Sequence, residues 1–180
     1  RIKFQKQADS LIKLLLSEPA AIKKQFPLVF GLTQKTMGYR KIAEEQEDQG
    51  IRAYQKALQL LLPHGYWEEA ASVELLWGNL MLQKGELEEA TNHYFEGIRY
   101  TDNCEDDCKL LRSILRTRIA RIKVKLQEYD EAEELYEKTI EDQQKIKDSI
   151  RLARTYYNYG TLLAERQNWK KAKDYFSEAE

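Results

Sequence analysis

The sequence is short of the residues that make turns. Its 180 residues hold 8 Gly and 3 Pro, too few for the many tight reversals of an all-β chain. Cysteine is scarcer still: Cys104 and Cys108 are the only two. So few argue against a disulfide scaffold and for a reducing, cytoplasmic setting, with both read as packing or surface thiols. No apolar run approaches the ~20 residues of a membrane span. The longest, Leu58 to Leu62, is interrupted by Gln59 and stopped by Pro63. No signal peptide is visible. Net charge is lacking too, at −1, which leaves no global field to attract nucleic acid or a membrane surface. The chain starts at Arg1 rather than Met and stops at Glu180 inside a helical pattern, which reads as a processed product or an excised fragment.

What is present points to helices. Hydrophobic residues make up 42% and charged residues 33%, a balance that suits a folded protein rather than a disordered one. Ala, Leu, Glu, Lys, Gln and Arg dominate, and these are the good helix formers. The charge is unevenly spread. Residues 1–41 carry nine basic side chains (Arg1, Lys3, Lys6, Lys13, Lys23, Lys24, Lys35, Arg40 and Lys41) against Asp9 and Glu18, and the acidic run Glu44-Glu45-Gln46-Glu47-Asp48 follows. Solvated helix faces account for this; the sharper alternative is a basic end that meets an acidic partner or lies beside a nucleic-acid-binding domain.

Three segments align without gaps. A large residue (Trp77, Ile119, Tyr159) precedes a small one (Gly78, Ala120, Gly160). Twelve residues on comes Ala (Ala90, Ala132, Ala172), and four further an aromatic (Tyr94, Tyr136, Phe176). Between them lies a polar turn with one apolar residue (Leu87, Tyr129, Trp169). Two helices joined by a short turn pack antiparallel. Where they cross closely the facing residues must be small, because side-chain size sets the interaxial distance. Gly inside a helix costs about 1 kcal/mol relative to Ala, so its recurrence implies a steric need. Gly78 with Ala90, Ala120 with Ala132 and Gly160 with Ala172 are the expected crossings. Tyr54, Trp77, Tyr94, Tyr136, Tyr159, Trp169 and Phe176 are expected in the repeat core.

This order of small residue, polar turn, Ala and aromatic resembles the tetratricopeptide repeat. The clear copies are 71–112, 113–152 and 153–180. Residues 31–64 form a weaker one, with Gly38, Gly50, Tyr54 and Ala57 in the corresponding places, and 1–30 is the remnant of a degenerate repeat containing Ala8, Ile12 and Leu15. No domain boundary is evident, so 1–180 reads as a single repeat domain. The small second-helix positions fall at 8, 50, 90, 132 and 172, a longer step than the family's usual one. That is similar to the long-repeat subclass of kinesin light chains and of the sensor domains of some bacterial transcription regulators, and to the helix-pair solenoids of vesicle-fusion adaptors and proteasome lid subunits. The resemblance implies an all-α, right-handed solenoid of antiparallel hairpins whose first helices line a concave, peptide-holding channel. Helices are expected over 2–17, 28–46, 49–62, 66–84, 86–100, 105–126, 128–147, 149–166 and 168–180, with an irregular or short helical connection at 18–30 broken by Pro19 and Pro27.

Little in the chain suggests catalysis. Cys104 and Cys108 are two thiols where zinc needs four ligands, and only His93 lies near. Neither His64 nor His93 has a Ser, Cys or Asp at a catalytic spacing, and no Gly-rich phosphate loop occurs. No enzyme activity, metal or cofactor is expected. The carboxylates Glu128, Asp130, Glu131, Glu133, Glu134 and Glu137 read as a solvated helix face.

Helical spacing from each small residue gives the channel. It predicts Ser72, Leu75, Leu76, Asn79, Leu82 and Gln83 in one repeat. The next supplies Ile114, Thr117, Arg118, Arg121, Val124 and Lys125. The last supplies Arg154, Tyr157, Asn158, Thr161, Ala164 and Glu165, and the weaker repeat Leu32, Lys35, Thr36 and Tyr39. Asn79, Arg118, Arg121, Lys125, Arg154, Tyr157 and Asn158 are the candidate ligand contacts. Asn can bond both backbone groups of an extended peptide, and Arg grips a carboxylate in two-pronged fashion. An acidic or C-terminal-carboxylate-bearing peptide is the expected ligand; the bland alternative is that these charges are solvated or pair with Glu nearby. The carboxylate clamp of the family's chaperone-binding class is incomplete, since Leu75 replaces its Lys and Arg118 its second Asn. A protein- or peptide-binding scaffold is therefore expected, with no membrane or direct nucleic-acid partner and with oligomers formed by end-on stacking. The second reading is a peptide-sensing domain of a bacterial regulator.

Overall fold

The computed structural model describes residues 2–104 and 108–180, and of residues 2–6, 8 and 9 the backbone alone. The side chain of Ala8 and the charges of Arg1, Lys3, Lys6 and Asp9 lie outside the described residues, as does the run Glu105-Asp106-Asp107. In order the helices are α1 (Ile2–Ser17), α2 (Ala20–Gln25), α3 (Pro27–Ala43), α4 (Glu47–Leu61), a 3-10 turn (Leu62–His64), α5 (Trp67–Lys84), α6 (Leu87–Thr101), α7 (Lys109–Lys125), α8 (Tyr129–Lys145), α9 (Ser149–Glu165) and α10 (Trp169–Glu178). No strand occurs among the described residues. The architecture is the all-α solenoid of helix hairpins that the repeat predicts. The connection at 18–30 holds the short helix α2, and Pro27 opens α3, where its missing N–H costs nothing.

The hairpin turns share one stop signal. Glu45, Gly65, Gly85, Gln127, Lys147 and Gln167 all have φ between 55° and 81°. The next residue's N–H then reaches back five residues: Gln46 to Lys41, Tyr66 to Leu61, Glu86 to Met81, Glu128 to Lys123, Asp148 to Gln143 and Asn168 to Leu163, at 2.8–3.3 Å. This left-handed cap satisfies carbonyls that the helix end leaves open and reverses the chain within a few residues. Only two of the six positions are glycine.

Two compact units form, Arg1–Trp77 and Gly78–Glu180. In the first, α3 and α4 cross at Gly38 and Gly50; a Cβ on either would lie 3.0 Å from the other's carbonyl oxygen. Tyr54, 1% exposed, covers Gly38 and tilts against Trp77 with ring centroids 6.3 Å apart. Phe30, Ala53, Ala57, Leu61, Ala70, Ala71 and Val73 complete this core.

In the second unit a Cβ on Gly78 would meet the Tyr94 ring at 2.5 Å and the Ala90 carbonyl oxygen at 3.1 Å. At Gly160 the same atoms would be the Phe176 ring at 2.8 Å and the Ala172 oxygen at 3.3 Å. The aromatic after the Ala therefore seats on its own hairpin's glycine as well as reaching towards the next hairpin. Tyr136 does the latter, stacking on Tyr159 at 5.6 Å. Ala120, Ala132, Tyr136, Ile140, Tyr156, Tyr159, Leu162, Leu163 and Ala172 make one buried cluster.

Two expectations need correction. Trp169 is not core: it opens α10 and is 66% exposed, because no described element packs over that turn. The equivalent Leu87 and Tyr129 are half-buried. Cys104 and Cys108 are not separate thiols but a disulfide, with Cα atoms 5.6 Å apart. The bond lies in the connection between α6 and α7. A cytoplasmic setting thereby loses the support it drew from cysteine scarcity. Among the described residues no helix is long and apolar enough to cross a membrane.

Candidate functional site

In the second unit α7 and α9 both begin hairpins, and each carries arginines at i,i+3 spacing, which places them on one helix face. Arg118 and Arg121 on α7 and Arg151 and Arg154 on α9 line a common cavity of ≈260 Å³ with Ile114, Thr117, Gln143, Thr155 and Asn158. Of the predicted contacts, Arg118, Arg121, Arg154 and Asn158 are thus brought together. Asn79, Lys125 and Tyr157 are not among its walls. Asn79 instead accepts a 2.9 Å hydrogen bond from the Tyr94 hydroxyl. Tyr157 packs on Phe176, centroids 5.6 Å apart, and lines a shallower hollow with Ala179 and Glu180. In the first unit Lys35 and Ser72 bond each other at 2.9 Å. Burial holds the Lys35 ammonium below its ordinary range against the pull of Glu69 and Glu68.

The charges of α7 divide by face. Arg112, Arg116 and Lys123 lie on one side, and each has an acidic partner. Arg112 meets Asp102 at 3.5 Å and the Thr101 carbonyl at 2.6 Å. Arg116 meets Asp142 at 2.7 Å, with both side chains mostly buried. Lys123 pairs with Glu128, and with Glu131 at 2.7 Å. On the other side the guanidinium groups of Arg118 and Arg121 make no ion pair or hydrogen bond with any described residue, and nor does that of Arg154 on α9. Internal pairing with a neighbouring Glu is therefore not what holds these three. Arg151 is the exception, bound at 2.6 Å to Asp148, whose other oxygen caps α9 by accepting the Arg151 N–H. That pairing holds the Asp148 carboxyl below the usual carboxylate range.

Two buried tyrosines record the field around the cavity. Burial pushes the Tyr94 phenol up to about 12, opposed by the positive charges of Arg118 and Arg121. Burial likewise raises Tyr136 to about 12, with Arg121 pulling it down and Glu165 pushing it up. Thr117 and Thr155 give their hydroxyl hydrogens to the Ser113 and Arg151 carbonyls, one turn back. They therefore present acceptors rather than donors to the cavity. Gln143 is 1% exposed, and its Oε1 has no partner. A buried acceptor left unbonded costs about 1–3 kcal/mol, a cost that a water or a ligand donor reaching it would offset.

Gln143, Arg151 and Thr155 were missed by the spacing rule. Arg151 lies three residues before Arg154 and could have been found by extending that rule one turn. Gln143 belongs to the end of a second helix, which a rule confined to first helices does not reach.

A separate polar cluster is structural. The Tyr159 hydroxyl donates to Glu137 at 3.1 Å and approaches Glu133 at 3.4 Å, while Arg166 holds Glu133 and Asp130 at 2.7 and 2.8 Å. Burial and the nearby carboxylates push the Tyr159 phenol far up, so it acts as a donor throughout the ordinary pH range. Among the described residues no group of three or more His, Cys, Asp or Glu side chains is placed to hold a metal.

The family model of the tetratricopeptide repeat matches residues 111–180, the stretch from α7 to α10 that carries the cavity. No curated protein sequence matches the chain. Solved structures share its fold. BtubC (BKLC) from P. vanneervenii superposes with a TM-score of 0.78 at 16% identity, over 97% of this chain and 71% of that one. The apo form of RapI superposes with a TM-score of 0.73 at 18% identity, over 97% of this chain and 48% of its own. The chain thus spans about half the length of RapI.

Proposed function

Since residues 111–180 are tetratricopeptide repeat, a repeat that serves generally as a protein-interaction scaffold, we propose that this chain is a non-catalytic scaffold whose α7–α9 face binds an extended, anionic peptide. One observation supports the reading: the guanidinium groups of Arg118, Arg121 and Arg154 have no partner among the described residues and line one cavity beside Asn158. Unneutralised arginines held together repel one another, and an anion relieves that repulsion while its backbone bonds to Asn158. Lys125, Asn79 and Tyr157 extend the same proposal beyond the cavity, as flanking contacts for the rest of the peptide. The whole of 1–180 acting as one domain, and oligomers formed by end-on stacking, belong to the proposal as well.

The test is a pull-down or peptide array comparing wild type with Arg121→Ala plus Asn158→Ala. Bound peptides should be enriched in Asp and Glu or end in a free carboxylate, bind less at high salt, and be lost in the double variant. Unchanged capture by the variant refutes the groove.

A second reading, the peptide sensor of a bacterial regulator, is favoured by the long repeat step. A DNA-binding domain encoded directly ahead of Arg1 would support it, and peptide occupancy should then change DNA affinity. A cytoplasmic location is a separate expectation, against which the Cys104–Cys108 bond weighs. Finding that bond oxidised in protein taken from cells under thiol-blocking conditions would refute it.

A further inference from the structure

We infer that the α7–α9 cavity is built for a dianionic phosphoryl group on the peptide, and that it reads a phosphorylated side chain in preference to a carboxylate. The inference rests on the peptide-binding reading above and sharpens it.

The argument is one of charge and valence. Arg118, Arg121 and Arg154 have no ion pair among the described residues, and Arg151 shares its charge with Asp148. The cavity therefore presents three uncompensated positive charges. A carboxylate brings one negative charge and two oxygens, enough for one forked guanidinium. It would leave the other two arginines facing each other with too little anion between them. A phosphoryl group brings a charge of about −1.5 to −2 and three terminal oxygens, each able to accept from a guanidinium. Three oxygens for three free arginines is the better match, and Arg rather than Lys is the side chain suited to it.

The neutral walls say what the phosphoryl group is attached to. Gln143 offers a buried, unbonded carbonyl oxygen, and Thr117 and Thr155 have already spent their hydroxyl hydrogens on the helix backbone. A carboxylate or a dianionic phosphate monoester supplies no donor of its own to these acceptors. A phosphorylated residue inside a peptide supplies its backbone N–H, and Asn158 can bond the adjoining carbonyl. A free phosphate brings a P–OH donor but no backbone for Asn158 to bond. A nucleic acid would need a longer basic track than this one cavity, in a chain of net charge −1.

The test uses the full chain and fluorescence anisotropy with degenerate peptides, acetylated and amidated, centred on phosphoserine, Glu or Ser. Further arms are a Ser-centred set with a free C-terminal carboxylate, a 5′-phosphorylated oligonucleotide, and inorganic phosphate as competitor. The phosphoserine set should bind at least about tenfold tighter than the Glu set, inorganic phosphate should compete weakly, and Arg121→Gln plus Arg154→Gln should abolish the difference. Both arginines are exposed, so the variant should keep its far-UV circular dichroism. Arg121→Lys plus Arg154→Lys should keep part of the salt dependence and lose the preference. Equal binding of phosphoserine and Glu sets, or tightest binding of the free-carboxylate set, overturns the phosphoryl inference and leaves the groove intact. Tightest binding of the oligonucleotide overturns it in favour of nucleic acid. Failure of every peptide set to bind removes the groove reading itself.

Discussion

Gly78→Ala tests whether the hairpin crossing works as described. In an exposed helix interior this change would stabilise by about 1 kcal/mol through propensity. Here the added methyl lies 2.5 and 2.7 Å from two Tyr94 ring carbons and 3.1 Å from the Ala90 carbonyl oxygen, where carbon contacts are normally about 3.5–4.0 Å. The ring has little room to retreat, since Tyr94 is fully buried and its hydroxyl is held by Asn79. The carbonyl is backbone and moves only with α6. Overpacking of this kind costs about 1–3 kcal/mol, which leaves about 0–2 kcal/mol after the propensity gain, and the immobile ring and backbone place Gly78→Ala at the upper end. Gly160→Ala is the internal comparison. Its methyl meets Phe176 at 2.8 Å, but that ring is only half-buried in α10 and can swing outward. The two effects there should nearly cancel. Urea unfolding followed by circular dichroism should rank Gly78→Ala below both Gly160→Ala and wild type. In a Tyr94→Leu background the Gly78→Ala penalty should shrink to what the Ala90 carbonyl contact alone imposes, because the two sites couple through the ring contact. Gly78→Ala proteins as stable as wild type, or a penalty indifferent to Tyr94, would refute the crossing as the reason for the glycine.

Gln127→Gly and Gln167→Gly should each stabilise by about 0.5–1 kcal/mol, since both residues sit at φ 61° in helix-ending caps where glycine carries no Cβ strain; a thermal melt that falls instead contradicts the cap. Asp148→Asn keeps the cap acceptor of α9 but frees Arg151, so phosphoserine-peptide affinity should rise about two- to fivefold, read by anisotropy. Because Arg151 depresses the Asp148 carboxyl, the wild-type pair contributes stability that is complete above the unfolded value of about 4 and is lost as pH falls through the lower folded value. That acid-side loss should be absent from Asp148→Asn in melts compared between neutral and acid pH. Cys104→Ser plus Cys108→Ser removes a closure across a sequence separation of 4, worth ~2 kcal/mol on loop entropy. This should lower Tm by about 4–8 °C, a shift that reducing agent reproduces in wild type but not in the variant.

The helices were legible because several local signals agreed. Good helix formers fill the spans, Ala90, Ala132 and Ala172 recur at fixed distance from a small partner, and polar turns separate them. Boundaries fell within a few residues of those read from the pattern. The left-handed caps were legible only where glycine marked them, at Gly65 and Gly85; at Glu45, Gln127, Lys147 and Gln167 nothing in the residue type announces the conformation. Trp169 was misplaced because the repeat pattern says which position is apolar and not whether anything packs over it. The cysteine bond was missed because a spacing of four reads as one helix face, whereas Cys104 and Cys108 lie in the connection between α6 and α7.

The site was half legible for a related reason. Spacing along α7 separates Arg112, Arg116 and Lys123 from Arg118 and Arg121, but both sets look alike in sequence. What distinguishes them is where the carboxylates lie. Asp142, Glu128 and Glu131, which neutralise Arg116 and Lys123, all come from α8 or the turn leading into it. Asp102, which neutralises Arg112, ends α6. The acid of a hairpin's second helix is thus used up on one face of the first, and the opposite face of α7 keeps its positive charge. A formal net charge of −1 is consequently a poor guide to what this chain attracts. The sum is near zero because 29 basic and 30 acidic side chains nearly balance, yet the face of α7 that lines the cavity keeps Arg118 and Arg121 without a carboxylate partner among the described residues.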